Sequence, residues 1–331
     1  MSLDVISLGE LLVEIMRKDL DVPHDVPGIY QGPFPSGAPA IFIDAAANLG
    51  LNSGFIGVIG DDDFGNLLLN RLKNDGVNTE YVRIAKGYTT GTAFVMYYSS
   101  GQRKFIFHLR HSAAGQLCAD DIREEFVSKA KVLHIMGSSL AINENVRDAC
   151  YKAVNLAGNT NVVVSFDPNL RPELLDAETI KKMCEPVVKV SQVAFPSKDE
   201  IIALTGIDNP VEAARKLQTL GPDTVVVKMG SIGALVVTHK KVFFEPAFNV
   251  KEVDPTGAGD VYDAAFIYGV LKSLPIEKTA EVASAAGAIK VTKFGPMGCP
   301  SSIREIEKFV RCTHKKPVPN EILDLLSANI K

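Results

Sequence analysis

Cysteine is too scarce and too scattered in this chain to build a covalent framework. Cys118, Cys150, Cys184, Cys299 and Cys312 are odd in number, and none stands in Cys-x-x-Cys spacing. That pattern argues against a disulfide scaffold and a structural zinc site, and a reducing cytoplasm fits it best. Also missing is any apolar run of roughly 18 residues, the length a membrane span needs. Asp4 and Glu10 break the N-terminal apolar segment where a signal peptide needs continuity. Neither sign of charge dominates: the net charge is -4, with acids and bases well mixed. Without a basic field, nucleic-acid and membrane partners are not expected, and small-molecule partners are. Internal repeats, low-complexity tracts and long linkers are absent as well. No Gly-x-Gly-x-x-Gly follows the first strand-like segment, which disfavours a dinucleotide oxidoreductase.

What is present is an ordinary globular composition, 46% apolar and 22% charged over 331 residues. Strand and helix patterns alternate along it. Asp4 to Leu8 reads as a buried strand, Ala38 to Leu49 as a helix closed by Gly50, Gly54 to Ile59 as a strand, and Phe64 to Asn74 as a helix stopped before Gly76. Further apolar strands are read at Val132 to Ile135, Val162 to Phe166, Gln192 to Phe195, Thr224 to Lys228 and Ala234 to Thr238, with a strand-like Val242 to Val250 after them. Near-continuous apolar strands of this kind belong to a parallel sheet covered on both faces. The expected fold is α/β, a doubly wound, mostly parallel sheet in three layers.

One stretch breaks the alternation. Thr92 to Tyr98 and Lys104 to His108 are β-rich and flank a short polar connection, Ser99-Ser100-Gly101-Gln102. They read as a hairpin which, with strand-like residues near Leu11 to Met16, forms a small β-sheet lid outside the main layers. The expectation is one domain over 1–331 with a lid built mainly from about 10–36 and 88–112. Its exposed edges offer a surface for a homodimer. Met1-Ser2-Leu3 reads as an added leader, and Lys315 to Pro319 marks a tail.

The chemistry concentrates in Asp254-Pro255-Thr256-Gly257-Ala258-Gly259-Asp260, ahead of apolar residues at 261, 264, 265, 268 and 271 with helical spacing. Small residues at Gly257, Ala258 and Gly259 let backbone amides converge on a phosphate at a helix N-terminus, where the dipole adds positive charge. Asp260 then stands where a carboxylate accepts the proton of an attacking hydroxyl. The competing reading is a plain turn with an acid in the first helical turn, since short glycine patterns are poorly specific.

This segment resembles the C-terminal signature of the ribokinase-like, or PfkB, carbohydrate kinase family, and the resemblance extends from the first strand to about Ser301. It implies an ATP-dependent enzyme that uses Mg²⁺, with K⁺ as a further ion. Gly37-Ala38-Pro39-Ala40 and Gly60 to Gly65 resemble the family's N-terminal signature, which implies that Gly37 and Ala38 lie close to the sugar. Asp61 to Asp63 are better read as helix-capping acids. Asp167-Pro168-Asn169-Leu170-Arg171-Pro172 is similar to the Asp-x-Asn-x-Arg element of fructokinases and 2-keto-3-deoxygluconate kinases. The similarity implies that Asn169 and Arg171 face the sugar and the transferred phosphate; a surface ion pair of Arg171 with Glu173 or Asp176 is the alternative. Ser197 to Glu200 resembles the Asn-x-x-Glu element, with Ser197 replacing asparagine. The implied roles are nucleotide contact for Ser197 and a water-mediated Mg²⁺ contact for Glu200, against helix capping by the same acids. Lys228, Gly230 and Gly233 border the nucleotide by the same resemblance, although a hairpin explains the glycines as well. Ala288, in the helix before Lys293 to Gly298, is implied beside adenine, and Asp254 beside K⁺.

On the acceptor side, Glu14 is the preferred ligand of sugar hydroxyls, and Arg110, at the end of the lid, is expected to meet the sugar or a carboxylate. Ile41 stands where many members carry a sugar-binding asparagine, and the lid lacks the paired tyrosines and arginine typical of 2-keto-3-deoxygluconate kinases, having Phe107-His108-Leu109-Arg110 in their place. The segments Glu10 to Met16, Gly32 to Asp44 and His111 to Ala113 look most like fructokinase-related enzymes that include tagatose kinases. The implied reaction is transfer of the γ-phosphoryl group of ATP to a primary hydroxyl of a ketohexose, fructose or tagatose. A 2-keto-3-deoxygluconate kinase is the alternative, and a non-catalytic nucleotide- or sugar-sensing protein is the alternative of another class.

Overall fold

The computed structural model describes residues 2–171 and 173–328. Met1, Pro172 and residues 329–331, parts of the leader, the Asp167 segment and the tail, lie outside them. In chain order the strands are β1 (Leu3–Gly9), β2 (Leu12–Arg17), β3 (Tyr30–Ser36), β4 (Ser53–Gly60), β5 (Asn78–Ala85), β6 (Gly91–Tyr97), β7 (Arg103–His108), β8 (Ala130–Met136), β9 (Val163–Asp167), β10 (Val193–Ala194), β11 (Thr224–Lys228), β12 (Gly233–Thr238) and β13 (Val242–Pro246). The helices are α1 (Ala38–Asn48), α2 (Asp63–Asn74), α3 (Glu124–Val127), α4 (Gly137–Leu140), α5 (Glu144–Gly158), α6 (Ala177–Val188), α7 (Lys198–Thr205), α8 (Pro210–Gln218), α9 (Ala258–Leu271), α10 (Ile276–Val291), α11 (Ile303–Cys312) and α12 (Asn320–Ala328).

Nine strands form one sheet in the order β13-β12-β11-β10-β9-β8-β1-β4-β5. From β11 to β5 every pairing is parallel. Side chains on each strand alternate between two cores, which is why these strands read as unbroken apolar runs. Val5, Phe55, Val132 and Val226 face one core, closed by residues of α1, α2, α9 and α10 such as Phe42, Leu68, Val261 and Ala283. Ile6, Ile56, Leu133 and Val225 face the other, closed by α5 to α8 through Val146, Ile180, Ile201 and Val211.

At one edge the direction reverses: β12 and β13 are antiparallel, because the short links from β11 to β12 and from β12 to β13 cannot carry a crossover. The strand read as continuing to Val250 stops at Pro246, which has no N–H to give the ladder. Two strands went unread in the sequence. β5 opens on Asn78-Thr79-Glu80 and shows no apolar run, and β3 carries Pro33 and Pro35, tolerated because it is an edge strand.

β3-β2-β6-β7 form a separate four-stranded sheet. The register sets Tyr97 opposite Arg103 and Val95 opposite Phe105, so period-two alternation puts Tyr97, Arg103, Phe105 and Phe107 on one face, with Glu14 of β2 beside Ala93. That face looks toward the carboxyl ends of the parallel strands, where open α/β sheets hold ligands. Among the described residues no helix is long and apolar enough to cross a membrane. All five cysteines are free.

Candidate active site

A cavity of about 550 Å³ opens between the second sheet and the carboxyl ends of β9 and β11, and the Gly257-to-Asp260 loop forms part of its wall. The loop is shaped locally. Asp254 Oδ1 accepts a hydrogen bond from Thr256 N at 2.9 Å, a turn that aspartate is suited to make, and Gly257 follows with φ 82° as the residue that caps α9. Only glycine fits there: a Cβ would lie 2.5 Å from the Pro296 carbonyl and 3.2 Å from Ile41. Ile41, the departure at the sugar-binding asparagine, thus packs against the phosphate loop while also lining the cavity. The amides of Gly259 and Asp260 lie in the first turn of α9, where no intrahelical acceptor exists, so they are free to face an anion. The Ala258 amide already reaches Pro255 O at 3.2 Å.

Asp260 is buried at the cavity wall, and Asn169 Nδ2 donates to its Oδ1 at 3.4 Å. Burial, reinforced by the Asp167 carboxylate and opposed by Lys228 and Arg171, raises its pKa to about 7. The group is therefore poised to exchange a proton near neutrality. Asn169 holds its place in a left-handed conformation, φ 38°, with its amide bonded to Asp167 Oδ1 at 3.0 Å and its own Oδ1 buried and unpaired. Lys228, at the end of β11, donates to Asp167 Oδ2 at 2.7 Å and to both oxygens of Asp263 at 3.1 and 3.2 Å. Burial pushes Asp167 up, but Lys228 and a hydrogen bond from Asp263 together outweigh it and hold Asp167 below its ordinary value. Asp263, buried one turn along α9, is raised well above the carboxylate range by burial, with Lys228 opposing.

Glu200 has both carboxylate oxygens engaged, accepting from Leu170 N at 2.8 Å and Ser197 N at 2.7 Å, while Ser197 Oγ accepts from Glu200 N. The capping reading of Ser197 and Glu200 is thus realised, and both residues still line the cavity. Among the described residues no group of three or more His, Cys, Asp or Glu side chains is arranged to hold a metal. A divalent ion here would be carried mainly by phosphate and water, with Glu200 and Asp167 among the carboxylates that line the cavity. Potassium fits less well. The Asp254 carboxylate accepts from Thr256 N, Tyr97 Oη and Gly295 N, and the Lys290 ammonium already occupies the adjoining carbonyl cluster, 2.8 Å from Asp254 O.

Gly37, Ala38, Gly230, Gly233 and Ala288 line the cavity with Lys228. At Gly37, φ 109°, a Cβ would meet Glu10 O at 2.4 Å, so the chain passes there only without a side chain. Glu14 is buried, with Oε1 accepting from Ser36 Oγ at 2.6 Å and Oε2 left without a partner, and burial raises its pKa. A buried lone carboxylate oxygen facing a cavity is a ready acceptor for a ligand hydroxyl. Asp61 to Asp63 are not part of the wall: Asp62 caps α2 through Gly65 N at 2.8 Å and accepts from Thr90 Oγ1 at 2.6 Å.

Arg110 is placed differently from the expectation. It is exposed and outside the cavity, its Nε donating to Ile142 O at 3.3 Å. Arg103 lines the cavity in its stead, its guanidinium 5.7 Å from the Phe105 ring centre, with Arg171 6.0 Å from the same centre. The alternation of Arg103, Phe105 and Phe107 is the signal that marks a shared face; Arg110 stands beyond the end of β7, where alternation no longer applies. Lys316 of the tail also reaches the cavity, its ammonium donating to Ser231 O at 3.0 Å.

The pfkB family carbohydrate kinase model matches residues 3–303. A fructokinase of Solanum tuberosum is 33% identical over 300 residues, covering 88% of this chain and 90% of that protein. A 2-dehydro-3-deoxygluconokinase of Thermoproteus tenax is 30% identical over 280 residues, 83% of this chain and 85% of that one. Among solved structures, a provisionally assigned Ribokinase II of E. coli in complex with ATP and Mg²⁺ superposes with a TM-score of 0.87 at 38% identity, covering 94% of this chain and 99% of that chain. An acid, a helix start with free amides and a second sheet gathered on one cavity thus coincide with a match along nearly the whole chain: the protein belongs to the pfkB family of carbohydrate kinases.

Proposed function

We propose that the protein transfers the γ-phosphoryl group of MgATP to a primary hydroxyl of a ketohexose, fructose or tagatose, with Asp260 as the base. The observation that carries this reading is the placement of Asp260 in the first turn of α9, beside amides free to bind phosphate, with a pKa of about 7. Asp260 takes the acceptor's hydroxyl proton as the oxygen attacks the γ-phosphorus. The new O–P bond forms as the bond to the β-phosphate oxygen breaks, and ADP leaves with that electron pair. The Gly259 and Asp260 amides, with Arg171, stabilise charge on the equatorial oxygens. Mg²⁺ bound to the phosphates neutralises charge on the donor. Ser197, Lys228, Gly230, Gly233 and Ala288 border the nucleotide. Glu14 and Asn169 bind sugar hydroxyls beside Gly37 and Ala38. The second sheet closes over the acceptor as a lid.

One observation favours a 2-keto-3-deoxygluconate kinase instead: Arg103 and Arg171 flank Phe105, and paired guanidiniums suit an acceptor that carries a carboxylate. The Thermoproteus tenax relative points the same way. A coupled ADP-release assay over fructose, tagatose, ribose, 2-keto-3-deoxygluconate and nucleosides decides between them. Fructose or tagatose as best acceptor supports the first reading. Release only with the keto acid replaces it with the second, and ATP binding without release on any sugar rejects both. Edge strands β3 and β7 leave one side unpaired in the four-stranded sheet, and a homodimer through that sheet in a reducing cytoplasm completes the proposal; sedimentation velocity tests the dimer.

A further inference from the structure

Lys290 is the most deeply buried lysine of the site region. Its side chain, at 0% exposure on α10, lies beneath the phosphate loop instead of at the surface where a lysine usually ends. Its Nζ donates to Asp254 O at 2.8 Å and to Lys293 O at 3.3 Å, and the Asp254 carboxylate is 3.9 Å away. Two carbonyls and a carboxylate offer acceptors only, which is the donor set of a monovalent cation.

The groups it touches control the anion site. Asp254 Oδ1 holds the Thr256 amide, and Oδ2 holds the Gly295 amide at 2.9 Å, so one residue shapes both the loop before α9 and the loop after α10. Asp254 N and Val253 N in turn bond to Val291 O, next to Lys290. A positive charge at this point fixes the Asp254 carbonyl toward α10 and keeps the opposite, amide-bearing side of the loop turned to the cavity.

We propose that the Lys290 ammonium is the resident monovalent cation of the phosphate-binding loop, a positioning residue that holds the Asp254 and Lys293 carbonyls as a bound potassium ion would. The kinase therefore needs no added K⁺. A tethered charge is always present at the site and pays no cost of capture from solution, so turnover and nucleotide affinity are insensitive to the choice of monovalent salt. The inference rests on the phosphoryl-transfer reading, but nucleotide affinity is measurable without any sugar, so a failure of the acceptor assignment leaves this test intact.

The test measures ATP affinity by calorimetry, and ADP release with the best acceptor, in about 0.1 M tetramethylammonium chloride or KCl, which keeps screening constant. For the unaltered protein both quantities are expected to agree within about twofold between the salts, well inside an ordinary allosteric coupling. Lys290→Met keeps the length and apolar stem but removes the charge. In tetramethylammonium its turnover is expected to fall about tenfold or more, the scale of losing part of an oxyanion-type site. K⁺ or NH₄⁺ is expected to restore most of that loss, a rescue that a purely structural lysine does not give. Activation of the unaltered protein by K⁺ overturns the proposal. So does a folded Lys290→Met protein with unchanged turnover, or a loss that neither ion relieves. Should Lys290→Met not fold, the salt response of the unaltered protein decides alone: a flat response supports the proposal and activation by K⁺ overturns it.

Discussion

The Tyr97 hydroxyl lies 2.7 Å from Thr256 Oγ1 and donates to Asp254 Oδ1 at 3.2 Å, joining the end of β6 in the second sheet to the loop that opens α9. Burial, followed by the neighbouring Asp254 carboxylate, raises the phenol well above its ordinary pKa, so it remains a donor at every working pH. The second sheet and the loop that opens α9 are therefore joined directly by hydrogen bonds. Tyr97→Phe removes the link while keeping the ring. Losing one such bond costs about 1 kcal/mol, so acceptor kcat/KM is expected to fall about fivefold, with the thermal midpoint lowered by no more than a few degrees. A wild-type kcat/KM in the variant shows that the contact does not couple the two elements.

Arg103 and Arg110 make a paired test of the acceptor side. Arg103 borders the cavity beside Phe105, whereas Arg110 is exposed and tied to Ile142 O. Arg103→Met is expected to raise acceptor KM about tenfold or more, the loss of a charge-assisted hydrogen bond to ligand. Arg110→Met is expected to leave it within about twofold. Steady-state kinetics on both variants check this, and the reverse ranking contradicts the placement of the second sheet.

Protonation of Asp260 ties activity to stability. As the base it must be unprotonated, so kcat/KM is expected to rise with pH through about 7 and then level. Stability runs the other way. The folded pKa lies above the reference value of 3.8, so this group's contribution is complete below 3.8 and is lost as pH rises through about 7. Asp260→Asn removes that dependence. The variant is expected to gain on the wild type as pH is raised from about 4 to about 8, by on the order of a few kcal/mol. Thermal melts of both proteins at several pH values measure the difference, and a gap that does not change with pH contradicts the buried-acid assignment.

Much of this was legible in the sequence because it rests on local rules. The apolar strands, the helix starts and the glycine loop at 257–259 follow from periodicity and from backbone space that only small residues leave. Two of the edge strands were not legible, since β5 is polar and β3 is broken by prolines, and each is held in place by its neighbour's ladder. Arg103 and Tyr97 were within reach, because alternation along the hairpin places them on one face, but no local signal says which face is inward. Arg110 stands beyond the end of β7, where alternation gives no signal at all. Lys290 was invisible: an i-to-i+3 lysine pair at 290 and 293 reads as a helix end, and only the fold brings its ammonium to the Asp254 carbonyl.

The central claim is that Asp260 takes the proton of the attacking hydroxyl. It is tested most directly by single-turnover and steady-state ADP release from Asp260→Asn with the best acceptor, alongside calorimetric ATP affinity. The predicted result is a loss of turnover of about 10² to 10⁴ with ATP affinity held within about threefold. Near-normal turnover in the variant contradicts it.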